Sequence, residues 1–220
     1  MDGESFDTVA QRVSVVASRR GVLRAGVGAL AGVALGLVGL NSGEEVEARR
    51  RRRARCGEGG PCRVFVTENQ YGGSIGGLTG ADTICQQTAE ARSLSGTYKA
   101  WLSDSTDSPS TRFVRSTGPY LLLDGTKIAG SWTGLTDGSL RVPINITEIK
   151  STVANSEFVW THTLADGTAA PSDDHCGNWK AAAVDGGRGS HASADAGWTA
   201  SGSSACNTGQ HLYCFQQSGR

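Results

Sequence analysis

Residues 63–67, RVFVT, alternate apolar and polar positions and predict a strand, entered from the tight loop CGEGGPC that a Cys56–Cys62 bridge would close. Past YGGSIGG the period changes. Ala81, Ile84, Cys85, Thr88 and Ala89 recur at helical spacing, which predicts an amphipathic helix with Thr79 as N-cap, running to about Arg92, with Cys85 on its buried face. YKAWLS reads as a short strand, and Ser108-Pro109 ahead of STRFV as the start of a second helix. PYLLL ending at Asp124-Gly125, VPINIT and EFVWTHT read as strands or extended segments joined by turns. The closing HLYCFQQ is a strand with Leu212, Cys214 and Gln216 on one side. Residues 165–205 break this regularity. They are mostly Gly, Ser, Ala, Asp and Thr around CGNWKA, and about 40 residues without a period inside one domain mark a functional or disordered loop.

A different pattern occupies the N-terminus. The uncharged apolar run at 25–40 is 16 residues long and rich in Gly and Ala, whereas a bilayer span takes about 20 strongly apolar residues. It reads as a signal-peptide core, with a retained anchor as the alternative. Ser18-Arg19-Arg20-Gly21-Val22-Leu23-Arg24 in front of it resembles a bacterial twin-arginine export signal, with Val22 where Phe is commonest. Val46-Glu47-Ala48 is a suitable cleavage site. The expected organisation is therefore a signal peptide at 1–48, an Arg-rich linker with the small Cys loop at 49–62, and a folded domain at 63–217. The mature protein is expected to be secreted or held at the cell envelope, with no stable membrane span.

Charge sharpens that division. Six arginines crowd into 49–55, while from Gly57 onward eleven Lys and Arg face fifteen Asp and Glu, so the body carries −4. An acidic body is not a nucleic-acid surface. The arginine run is a solvated linker or an electrostatic attachment to anionic envelope polymers. All six cysteines (56, 62, 85, 176, 206 and 214) lie beyond the export signal, and an even count in an oxidising compartment indicates disulfides. Six cysteines allow 15 pairings, and spacing alone does not choose among them. No Cys-x-x-Cys or paired His spacing supports a zinc or redox site.

The order of motifs across 63–217 carries a resemblance. GGLTGADTICQQTAEARSLSGTYKAWLS is similar to the start of the endostatin domain of collagens, and FVWTHTLADGT, CGNW, SSAC and YCF follow in that family's order. The chain also resembles bacterial lectin-like domains of unknown function, some described as endostatin-like surface adhesins. Both groups imply a variant of the C-type lectin fold: α+β, two helices, a twisted and mainly antiparallel sheet, a long loop region and a disulfide clasp. The resemblance implies the pairs Cys85–Cys214 and Cys176–Cys206. It does not carry over the usual metal ligands. Trp198 is followed by Thr199 and Ala200, and Pro171 is flanked by Ala170 and Ser172, so the acids that hold calcium in sugar-binding C-type lectins are not matched. The histidines of the endostatin zinc site have no counterpart before Arg63.

The expected function is that of an exported, non-catalytic binding or adhesion module that recognises an extracellular protein or glycan through residues 159–206. Trp179 and Trp198 are candidate contact residues, with core packing as their other role. Asp166, Asp173, Asp174 and Asn178 are the polar candidates. A calcium-dependent lectin is the first alternative, built on the same loop acids; no other cofactor is implied. A hydrolase is the second. His162 or His175 with a loop aspartate and a serine would make a triad on paper, but no Gly-x-Ser-x-Gly or His-Glu-x-x-His motif accompanies them.

Overall fold

The computed structural model describes residues 54–154 and 156–218. The expected export signal with Arg19 and Arg20, the expected cleavage site and the arginines at 49–53 lie outside the described residues. Strand β8 (His211–Gln216) runs through the centre of the sheet, and all of its residues are buried. Along one side it pairs antiparallel with β1 (Cys62–Val66), matching Phe65 to Cys214, and along the other with β2 (Tyr98–Ala100), matching Ala100 to Cys214. Outside β1 lie β3 (Tyr120–Leu122), parallel to it, and then β4 (Lys127–Ala129), antiparallel to β3. In the other direction β5 (Val159–Trp160) runs parallel to β8, followed by antiparallel β6 (Asp185–Gly189) and β7 (Gly202–Ala205). The result is an α+β architecture around one mixed sheet of eight strands.

Alternation along β1 and β8 sends successive side chains to opposite faces. Val64, Val66, Tyr213 and Phe215 join Trp101, Phe113, Tyr120 and Trp198 in one buried cluster. Phe65, Leu212 and Cys214 join Trp160, Trp179 and the helix residues Ala81, Cys85 and Ala89 in the other. Coverage of both faces is why the four middle positions of β8, Leu212 to Phe215, form an unbroken apolar run instead of alternating with polar residues.

Helix α1 (Gly77–Ala91) buries Gly77, Ala81, Cys85 and Ala89, one residue per turn. It starts two residues before the expected Thr79 cap. Gly76, at φ 85°, turns the chain into the helix, and the amides of Ile75 and Gly76 donate to the carbonyl of Trp179 at 3.0 and 3.1 Å. A distant backbone group thus anchors the helix start that a local side chain was expected to cap. The expected second helix is a single turn, α2 (Pro109–Arg112), with Ser108 and Thr111 forming a reciprocal capping box. The remaining turns are α3 (Trp132–Leu135), α4 (Cys176–Trp179) and a 3-10 turn at Ala196–Trp198. Among the described residues no helix is long and apolar enough to cross a membrane.

Three disulfides join Cys56 to Cys62, Cys85 to Cys214 and Cys176 to Cys206. The second ties α1 to the central strand. The third pins α4 to the end of β7, across the stretch that was expected to lack regular structure. That stretch contains β6 and β7, which pair in register from Asp185↔Ala205 to Arg188↔Gly202.

Candidate functional site

The segment 159–206 leaves the sheet at β5 and returns at β7. EFVWTHT stops being a strand after Trp160, because His162 takes a left-handed φ of 44°. Its amide and that of Thr161 both donate to the carbonyl of Gly187, at 3.1 and 3.0 Å, and its own carbonyl accepts from Ala170. Turn α4 is left-handed throughout, with φ between 51° and 60° at Cys176, Gly177, Asn178 and Trp179. Such conformations cost about 1–2 kcal/mol per non-glycine residue and persist only where the surroundings over-determine them. Here the surroundings are the Cys176–Cys206 disulfide and Gly73 and Gly186, whose missing side chains leave room for Sγ of Cys176; a Cβ on either would lie 2.2 or 2.5 Å from it.

Between these strained turns lies a cleft of about 250 Å³, lined by His162, Thr163, Ser172, Asp174, Arg188 and Ser203 together with small residues of the same segment. His162 is 3% exposed, and its Nδ1 has no hydrogen-bond partner. Burial, reinforced by nearby His175, pushes its pKa below the ordinary histidine value, against a smaller opposing pull from Asp174. The imidazole therefore stays neutral at pH 7. The Arg188 side chain turns to the other face of β6 from Gly187, with Cζ 3.6 Å from the centroid of the Phe158 ring and Nη1 donating to Ser204 Oγ at 2.8 Å.

A scan of protein-family models and a search of curated proteins find nothing that matches this chain. The site is therefore read from its own geometry.

The candidates separate into three groups. Trp179 and Trp198 are fully buried, so neither is a contact residue, which corrects that expectation for both. Trp179 donates its indole N–H to the carbonyl of Ser103 at 2.7 Å, and Trp198 packs 4.9 Å from Trp101, centroid to centroid. Two further candidates hold local structure. Asp166 accepts from the hydroxyl and amide of Thr168, bonds that keep its carboxyl below the usual range, and Asn178 Oδ1 accepts from the amide of Ser105 while its own amide donates to His175 Nδ1. Asp173 and Asp174 stay on the surface. Asp174 stands on the ridge between the cleft and a wider depression lined by Asp173, Asp185 and Asn207. Among the described residues no three His, Cys, Asp or Glu side chains are grouped to hold a metal ion.

Arg188, Ser172 and Ser203 were not anticipated. Arg188 sits in DGGRG, where neither period nor motif distinguishes it, and only the pairing of β6 with β5 and β7 sets it against Phe158. A single cation in an otherwise small and polar stretch was the one available signal.

Proposed function

We propose that the protein is an exported, non-catalytic binding module of C-type lectin-like, endostatin-like fold, which recognises an extracellular protein or glycan through the cleft of segment 159–206. The observation that carries this reading is the position of that cleft: every residue lining it belongs to this one segment. The segment is clamped by a disulfide and by strained turns onto a two-faced core. A rigid scaffold that presents a cleft from an irregular segment is the usual arrangement for recognition. Twin-arginine export and release of residues 1–48 belong to the same proposal, and the three disulfides suit the oxidising compartment that it requires.

The test is binding of the oxidised full chain to printed glycans and to immobilised extracellular matrix proteins, alongside a Ser203→Trp variant. Ser203 is exposed and lines the cleft, so a bulky side chain there blocks it without touching the core. Retention by a glycan or protein that the variant loses supports the proposal; retention unchanged in the variant removes the cleft from it. Thermal unfolding in millimolar calcium and then in EDTA completes the test, because an ion held only by the folded chain raises the melting temperature. A calcium-dependent rise would replace this reading with that of a calcium-dependent lectin.

A further inference from the structure

Strand β7 is the last of the sheet, and among the described residues it pairs only with β6. The alternation of hydrogen bonds along β6 fixes which backbone groups of β7 are used. Gly187 turns its carbonyl toward β5, where it accepts from Thr161 and His162, so its neighbours Gly186 and Arg188 face β7. Across that ladder Gly186 is matched to Ser204, and the Cys206 amide donates to the Val184 carbonyl at 2.8 Å. Ser204 and Cys206 therefore bond inward, and Ser203 and Ala205 turn their backbone groups outward. Both residues are exposed. The Ala205 carbonyl accepts from the amide and hydroxyl of Thr208, which leaves the N–H and C=O of Ser203 and the N–H of Ala205 open on the edge.

Proteins blunt such edges with lysines, prolines, bulges or a covering element. Residues 200–210, ASGSSACNTGQ, contain neither a charge nor a proline. The surroundings of the edge differ along its length. Ser203 and Ala205 share one face of the sheet with Gly187 and Asp185. At the Ser203 end that face opens into the mostly apolar cleft of about 250 Å³. At the Ala205 end it opens into the depression of about 470 Å³ lined by Asp173, Asp174 and Asp185. None of these carboxylates forms an ion pair among the described residues.

We infer that β7 is a docking edge for an extended segment of another protein, which adds a further strand to the sheet. Its backbone meets the open groups of Ser203 and Ala205. Side chains two apart in the added strand point to the same face, so one enters the apolar cleft and the next the acidic depression. The first is a small aliphatic residue and the second a lysine or arginine. A second copy of this chain is a poorer match, because its own β7 brings only uncharged residues to the acids. The inference rests on the binding-module reading and selects protein as its ligand, because a spaced row of backbone donors and acceptors is matched by another backbone.

The test is NMR titration of the oxidised full chain with the capped peptide Thr-Lys-Thr-Val-Thr-Lys-Thr, which sets a lysine two residues from the valine in either strand direction. The amides of Ser203 and Ala205 are expected to shift and to become protected from hydrogen exchange, since each gains an acceptor. The same peptide with glutamate for both lysines should bind at least about fivefold more weakly, the order of an exposed charge contact. N-methylation of the valine and of the threonine after it should abolish binding, because it removes whichever N–H would reach the Ser203 carbonyl. Ser203→Pro should abolish it too, and the N–H it loses points away from β6, so the ladder survives. If that variant disturbs folding, the N-methylated peptide decides. No binding of the lysine peptide, or equal binding of its N-methylated or glutamate form, overturns the inference. A dimer of the free chain that Ser203→Pro makes monomeric overturns it in favour of a second copy. The printed-glycan and protein panel separates the two levels: retention lost in Ser203→Trp but kept in Ser203→Pro sinks this inference alone, and retention of nothing sinks the binding-module reading with it.

Discussion

Strands β1 and β8 bury Val64, Phe65, Val66 and every residue from His211 to Gln216, whereas β6 and β7, with sequences DGGRG and GSSA, fully bury only Gly186 and Gly189. The first region is stabilised by apolar area removed from water on both faces of the sheet. The second has little such area to remove. It is held by the β5–β6–β7 hydrogen-bond ladder, by close backbone approach at glycines and by the Cys176–Cys206 bridge. Residues released from core packing are free to line a cleft, and the left-handed turns they adopt are tolerated because covalent and backbone constraints leave no alternative.

Removing each disulfide is the most severe way to break this comparison. Cys85→Ala with Cys214→Ala opens a loop with a sequence separation of 129 residues, and in the chain-entropy model costs about 5 kcal/mol in urea unfolding. Cys176→Ala with Cys206→Ala, at a separation of 30, should cost about 3–4 kcal/mol. Hydrogen exchange distinguishes them further: the second pair should lose protection in β6 and β7 while β1 and β8 stay protected. Equal loss of protection across the whole sheet would show one cooperative unit and dissolve the distinction between the regions.

Gly73→Ala is the next largest. Its Cβ would stand 2.2 Å from Cys176 Sγ and 2.8 Å from Cys206 Cβ. Overpacking of this kind costs about 1–3 kcal/mol. Gly130→Ala, with nothing within 4 Å of its new methyl, should stay within about 0.5 kcal/mol of the parent in the same denaturation experiment.

Acid sharpens the comparison more gently. Burial lowers the pKa of His162, and also that of His191, which is fully buried with both ring nitrogens unpartnered. In the unfolded chain both take up a proton near the ordinary value of about 6.5, while the folded protein resists it. The unfolded state then binds more protons, so stability present above about pH 6.5 is lost as pH falls toward the lowered folded values. Melting temperature should decline between pH 7 and 5, and His191→Leu should flatten that decline. An unchanged slope in the variant would clear His191 of the effect.

The one expected gain in stability lies in the regular half. Ser93, exposed at φ 55°, follows the C-cap of α1, while its amide and that of Leu94 donate to the last helical carbonyls. Ser93→Gly should raise stability by about 1 kcal/mol, because glycine adopts this conformation without penalty. Loss of stability on thermal unfolding would contradict it.

Much of the regular half was legible along the chain. The 63–67 strand appears one residue earlier as β1, the Cys85 helix two residues earlier than its expected cap, and PYLLL and HLYCFQQ contain β3 and β8. The candidate site was legible only as a region. Residues 165–205 stood out by composition, but the aromatics chosen within them, Trp179 and Trp198, are core, and Arg188 was marked only as a lone cation in a small, polar stretch. Side chains as hydrophobic as tryptophan default to the interior unless the fold has no room for them.

Sequence by itself determined where apolar period, helix breakers and turn residues place β1, α1, β3 and β8, because those signals act over a few neighbouring residues. It also placed every cysteine beyond the export-like N-terminus. Tertiary structure alone decided that DGGRG and GSSA become strands, that α1 begins where the Trp179 carbonyl accepts from the amides of Ile75 and Gly76, and that Arg188 stacks on Phe158. Those outcomes depend on backbone partners and close approaches between segments far apart in the chain, and a glycine or serine carries no local mark of the partner it will meet.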